Sequence, residues 1–326
     1  MTMGYFVRRG TRWRSALMAA ALVSTGALSM RSPSATKVIG QVTEGPRVQY
    51  RPSARVRVVA NIVFARYGKR ALKLDLYLPA SHDAGAPGAI VIRGGGWMVN
   101  DRREFAHVAS ALAERGVISA SIEYRTADEA PFPAAIQDVK AAVRWMRANA
   151  STYGLSPKAI GVLGGSSGAY MALLAGLTAG VPGLEGHGGH QNISSRVQAI
   201  VAMAAPTDPR RLDAGGRNTV ARFLHMSLER NPKLWARASP VSYVSASSPP
   251  ALLLHSSTDE AVLPEQSIRF AELYRQAGAT AELVLIPQAH HAFWNYQPWF
   301  EEVIAQSATF FHRMARSAMD KGNAAQ

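Results

Sequence analysis

One serine in this chain sits in a setting that could make it a nucleophile. Gly164-Gly165-Ser166-Ser167-Gly168 stands between a short apolar run, Ile160–Leu163, and an Ala- and Leu-rich stretch, Ser167–Leu177. A G-x-S-x-G turn between strand and helix is strained, so small residues must flank its serine, and it lifts the hydroxyl toward a positive helix N-terminus. A hydroxyl attacks poorly unless a base takes its proton and a carboxylate orients that base. Two residues downstream fit those roles by position. Asp259 lies just past the apolar run Ala251–His255, and His291 just past Ala281–Ile286. Glu260 and Asp208 compete for the acid, and His290 for the base. Placement after two successive strands, at the edge where such sheets build sites, points to these two positions and leaves the adjacent Glu260 and His290 open. A fourth part follows the run Ala89–Ile92: Arg93-Gly94-Gly95-Gly96-Trp97. Glycines let backbone N–H groups approach a developing oxyanion, and the N–H of Ser167 would join them. The chemistry such a set could carry is acyl transfer through an acyl-serine.

These residues need a scaffold, and the pattern around them supplies one. Arg57–Phe64 and Leu72–Leu78 alternate apolar with polar residues, as half-buried antiparallel strands do. Ala89–Ile92, Val117–Tyr124, Ile160–Leu163, Val197–Met203, Ala251–His255 and Ala281–Ile286 read as buried strands. Helical spacing predicts helices over Glu104–Arg115, Pro133–Asn149, Ser167–Leu177, Glu265–Ala277 and Gln297–Arg316. Strands alternating with helices imply an α/β fold with a mainly parallel, doubly wound sheet and helices on both faces, its first two strands forming an antiparallel edge. Gly180–Ser195 and Pro206–Ser248 break the alternation and are expected as loops or a small cap on the carboxyl edge. The domain is expected over residues 55–316, after a linker at 30–54 and before a frayed tail at 317–326.

Composition narrows the function classes. The 326 residues include no cysteine, which excludes disulfides, thiolate catalysis and cysteine-bound metal. The net charge is +14, yet no basic stripe is interleaved with aromatics, so no nucleic-acid partner is expected. Part of the charge sits in Arg8, Arg9, Arg12 and Arg14, ahead of a small and apolar run from Ser15 to Met30. A basic segment before a short apolar one has the pattern of an export signal, here over residues 1–29, and implies a periplasmic or secreted protein. Membrane contact is expected only through that segment if it stays uncleaved. His187 and His190 lack a third ligand, and neither metal nor cofactor is expected.

Several stretches occur together in one family's order: Arg93–Trp97, Glu123-Tyr124-Arg125, Ala130–Trp145, Gly164–Gly168, Ser194–Val201 with Pro206-Thr207-Asp208, His255–Val262 and His291–Trp294. By these the chain resembles the α/β-hydrolase esterases that include hormone-sensitive-lipase-like carboxylesterases and bacterial feruloyl and acetylxylan esterases. The resemblance implies Ser166, Asp259 and His291 as catalytic triad, and Gly95, Gly96 and Ser167 as oxyanion donors. It implies hydrolysis of small-molecule or carbohydrate esters, and the modest cap region leads us to expect short acyl groups. One departure is Arg93, where the family usually carries His. Arg93 could brace the loop or bind an acidic substrate group, and Trp97 could line the substrate. Among the aromatics near the site, Phe293, Trp294, Trp299 and Phe300 are expected mostly to pack. Amide or peptide cleavage on the same triad, and a non-catalytic binding protein on the same fold, are the competing readings.

Overall fold

Alternate residues along the central strands face opposite layers, and that alternation decides where each helix packs. In the computed structural model, which describes residues 37–38 and 44–323, the chain runs β1 (Lys37–Val38), β2 (Val56–Tyr67), β3 (Arg70–Pro79), β4 (Ala86–Ile92), α1 (Ala106–Ala113) and β5 (Ile118–Ile122). It continues through α2 (Ala134–Ala148), β6 (Leu155–Gly165), α3 (Ser167–Leu177), β7 (Ala199–Met203), α4 (Ala214–Leu224) and α5 (Pro232–Arg237). β8 (Ala251–Ser256), α6 (Glu265–Gln276), β9 (Ala281–Ile286) and α7 (Trp299–Asn323) complete it. Ile90, Ile92 and Val162 point into one core layer with Val139 of α2, Met171 of α3 and Phe270 of α6. Ala89, Val91 and Leu163 point into the other, against Val108 of α1 and Ile304 of α7. Strands buried on both faces must be apolar throughout, which is why β4 reads as one continuous run.

The strand order is β1-β9-β8-β7-β6-β4-β5-β3-β2. From β1 to β5 the pairs are parallel, and β5–β3 and β3–β2 are antiparallel. The α/β-hydrolase fold is therefore present, with the expected antiparallel edge. The connection out of β4 runs to β5 on one side and the connection out of β6 runs to β7 on the other, which opens a crevice between their carboxyl ends. Ile92 pairs with Gly164 in register, so the glycine loop and the serine turn emerge side by side.

Four expectations change or narrow. The linker at 30–54 is partly built into the domain: Gly45 N–H donates to Gln297 O at 2.7 Å and Val48 N–H to Asn295 O at 2.7 Å, while Lys37 pairs with Val284 on β9. Such short pairings leave no periodic trace in sequence. The frayed tail is helical to Asn323, since Ala, Met and Lys favour helix and no proline interrupts. Of the two alternatives for Gly180–Ser195, loop or cap, the loop is found. It is strapped along α2, where buried Lys140 donates to Thr178 O and Glu185, and Arg144 donates to Gly189 O at 2.9 Å. Pro206–Ser248 does form a small helical cap, through α4 and α5. The fourth change concerns Trp97 and belongs to the site. The export segment at 1–29 lies outside the described residues.

Candidate active site

Ser166 opens α3 with φ 54° and ψ −123°, a conformation rare for any side chain but glycine. Such strain costs about 1–3 kcal/mol and persists only where the surroundings over-determine it. Here Ser166 N–H donates to Met203 O at 2.8 Å, and Tyr170 N–H donates to Ser166 O at 3.0 Å. The flanking glycines are sterically required. A Cβ on Gly164 would lie 2.3 Å from the Gly168 carbonyl, and one on Gly168 would lie 2.2 Å from Ile92 O. Backbone thus meets backbone between β6, α3 and the end of β4.

Three side chains from three strand exits then converge. Ser166 Oγ lies 2.9 Å from His291 Nε2, and His291 Nδ1 lies 2.7 Å from Asp259 Oδ2 and 3.0 Å from Oδ1. A carboxylate only accepts, so Nδ1–H donates to Asp259 and Nε2 is left to accept from the serine hydroxyl. That is the tautomer a general base needs. Asp259 is buried, 2 % exposed, and Oδ1 accepts from Ala261 N–H at 3.0 Å and Val262 N–H at 2.9 Å. Burial alone would raise its pKa. The nearby His255 imidazole and the hydrogen bonds from His291 and Val262 N–H outweigh burial and hold the carboxyl well below the ordinary range. The side chain of Asp259 therefore stays an anion.

The rivals go elsewhere. His290 is 77 % exposed in its side chain and lies 3.1 Å from Glu44. Glu260 is exposed. Asp208 is engaged by Arg210 at 2.7 Å and Arg211 at 3.4 Å.

Across from the triad, the glycine loop packs onto the serine turn. A Cβ on Gly94 would sit 2.5 Å from Gly165 O and 3.1 Å from Ser166 Cβ. Gly95 and Gly96 take φ of 118° and 61°, and the N–H groups of Gly95, Gly96 and Ser167 donate to no other group among the described residues. Trp97 N–H donates to Ser167 Oγ at 3.3 Å and ties the loop to α3. The Trp97 ring does not line a substrate surface: it is 3 % exposed, stacks on Phe223 at 4.8 Å and meets Tyr170 edge-on. Its apolar area is better removed from water beneath the α4 cap than displayed. Arg93 folds back on its own loop, Nη1 donating to Gly94 O at 3.1 Å, and no carboxylate pairs with it among the described residues.

Two further residues support the site, one of them expected only to pack and the other read only as the end of a strand. Trp294 meets the His291 ring edge-on at 5.8 Å and fills the space that a Gly165 Cβ would take. His255 marked the end of a strand in the sequence reading, and here it contacts Asp259. Its spacing, four residues before the acid, was the available signal. His187 packs against Tyr67, and among the described residues no group of three His, Asp or Glu could hold a metal.

Residues 74–274 match the BD-FAE family model. The chain is 36 % identical over 214 residues to esterase LipQ of Mycobacterium tuberculosis, covering 64 % of this chain and 50 % of that protein. It is 33 % identical over 242 residues to the probable carboxylic ester hydrolase LipM of the same organism, covering 72 % of this chain and 56 % of that protein. The chain thus spans about half the length of these relatives. Among solved structures, a truncated carbohydrate esterase from gut microbiota superimposes with TM-score 0.72 at 28 % identity, covering 80 % of this chain and 96 % of that one. An acetyl ester-xyloside bifunctional hydrolase from Caldicellulosiruptor lactoaceticus gives 0.66 at 25 %, covering 76 % and 89 %.

Proposed function

The chain belongs to the BD-FAE family of α/β-hydrolase esterases, and from that premise we propose that it is a serine carboxylic ester hydrolase working through a covalent acyl-enzyme. The observation that carries this reading is the unbroken relay from Ser166 through His291 to Asp259, set beside a loop with unengaged N–H groups. Ser166 Oγ attacks the ester carbonyl carbon as its proton passes to His291 Nε2. Asp259 stabilises the resulting imidazolium. The oxyanion accepts from the N–H groups of Gly95, Gly96 and Ser167, where one donor is worth about 10²–10³ in rate. Collapse breaks the C–O bond, and the alcohol leaves with the proton from His291. Water deprotonated by His291 then attacks the acyl carbon, releasing the acid and Ser166.

Short acyl groups suit the cap. A Cβ on Gly96 would stand 3.3 Å from Thr219 Cγ2 of α4, so the cap helix closes tightly over the loop. Carbohydrate esters are the favoured alcohol class, on the strength of the two structural relatives named for such substrates. Arg93 keeps guanidinium donors to spare beyond its bond to Gly94 O, and an acidic group on the substrate would engage them. Export to the periplasm or medium rests on residues 1–30 of the sequence, and the N-terminal residue of the mature protein tests it.

The decisive experiment is labelling with a fluorophosphonate probe, which reacts only with an activated serine. Wild type should be modified at Ser166, and Ser166→Ala should lose both labelling and ester hydrolysis while keeping its melting curve. Hydrolysis above background by a folded Ser166→Ala protein would refute the mechanism. Acetylated xylan, methyl ferulate and an acyl-length series would then rank substrates, and a preference beyond about ten carbons, which needs a long apolar pocket, would contradict the short-acyl reading.

A further inference from the structure

His255 is a second histidine at the acid, fully buried and without a part in the steps above. Its Nε2 lies 2.8 Å from Val262 O and 3.5 Å from Asp259 Oδ2. A carbonyl only accepts, so Nε2 carries the hydrogen. Its Nδ1 lies 2.6 Å from the hydroxyl of Ser267 on α6, also fully buried. That hydroxyl has no other acceptor among the described residues and therefore donates to Nδ1, since a buried donor left unpaired is costly. The serine thus sets the tautomer, and the tautomer sends an N–H toward the turn that carries Asp259.

We propose that Ser267 and His255 form a buried positioning pair that aims the Asp259 carboxylate at His291. The proposal rests on the esterase reading above and deepens it. Val262 is the hinge of the arrangement: its N–H donates to Asp259 Oδ1 at 2.9 Å while its carbonyl accepts from His255. The turn is held from both ends. Oδ2, the oxygen nearest His291, also lies between the two imidazoles, with His255 as a second N–H dipole beside the anion. The depressed pKa of Asp259 agrees with this, because the nearby His255 is among the groups that favour its charged form. Without the pair, the Val262 carbonyl is orphaned and the carboxylate is free to turn away from Nδ1. Three members of the relay would remain, out of line.

The test is kinetic, with p-nitrophenyl acetate as substrate and His255→Leu, His255→Gln and Ser267→Ala as variants. Removing an orienting partner of a functional group typically costs about ten- to a hundredfold, so His255→Leu should lower kcat by that factor with KM within about twofold. Gln can donate to Val262 O and accept from Ser267, so His255→Gln should recover most of the loss. Ser267→Ala should fall between them, and it decides the matter if His255→Leu fails to fold. Fluorophosphonate labelling of wild type at Ser166 is the control for the underlying reading; its absence would overturn both. Normal labelling of wild type, with kcat unchanged in the folded variants, or with His255→Gln as impaired as His255→Leu, would overturn the positioning role alone.

Discussion

Adding one methyl group to the glycine loop should damage catalysis more than stability, and Gly94→Ala is the place to add it. The new Cβ would stand 2.5 Å from Gly165 O and 3.1 Å from Ser166 Cβ. Ordinary C···O contact begins at about 3.3 Å, so the loop must back away from the serine turn by about 0.8 Å. The nearest atom is a backbone carbonyl and a Cβ is fixed to its own backbone, so no side-chain rotation can absorb the clash. An N–H···O bond of about 2.9 Å stretched by that distance passes beyond hydrogen-bonding range. Loss of one oxyanion donor costs about 2.7–4 kcal/mol in the transition state, a factor of about 10²–10³ in kcat. Overpacking of this kind costs about 1–3 kcal/mol of stability, which a domain of this size should survive. The comparison variant is Gly96→Ala, whose Cβ would meet only Thr219 Cγ2, at 3.3 Å, although its φ of 61° adds strain. With p-nitrophenyl acetate, kcat should fall at least tenfold further for Gly94→Ala than for Gly96→Ala, with both proteins folded by circular dichroism. Activity of Gly94→Ala within about threefold of wild type would mean that the loop does not meet the serine turn as described, and would refute the argument.

Neutralising the acid should separate it from its neighbour: Asp259→Asn is expected to lower kcat by about 10⁴, whereas Glu260→Gln, exposed, should stay within twofold of wild type, and equal losses would exchange their roles. Acid stability should respond to the same residue. A carboxyl whose pKa falls on folding adds stability above its unfolded value of about 3.9 and loses it as pH drops toward the folded value. Because Asp259 is depressed in this way, the urea midpoint of wild type should fall more steeply below about pH 4 than that of Asp259→Asn, and parallel curves would contradict the assignment. Lys140→Met should leave the half-buried Glu185 without its closest cation and cost about 2 kcal/mol by urea denaturation, less than the full price of a buried pair, with kcat unchanged. A loss of activity there at constant stability would place the 180–195 strap in the catalytic machinery.

Local pattern was enough to read the order of strands and helices, because buried strands need apolar runs and a strained serine turn needs its glycines. Chain order and strand exits likewise pointed to Ser166 and to the two loops that carry Asp259 and His291, which a doubly wound sheet would bring to one edge. What a sequence cannot hold is distance between segments far apart in it. Family resemblance alone prefers His291 to His290, and the physical reason is geometric: two adjacent imidazoles diverge, one to Ser166 and one to Glu44. Trp97 looked like a substrate surface because its loop is one, yet its ring turns inward to Phe223. The segment at 180–195 could be loop or cap by its sequence, and Lys140 and Arg144 claim it as a loop strapped to α2. His255 and Ser267 stand twelve residues apart in sequence, and nothing in their spacing announces that they share a proton beside the acid. Periodicity and motif arise from each segment's own demand to bury apolar area and satisfy its backbone, so the chain alone carried the fold and the catalytic trio. Pairing between side chains depends on how those segments pack, and only the folded structure decided which groups hold the trio in line.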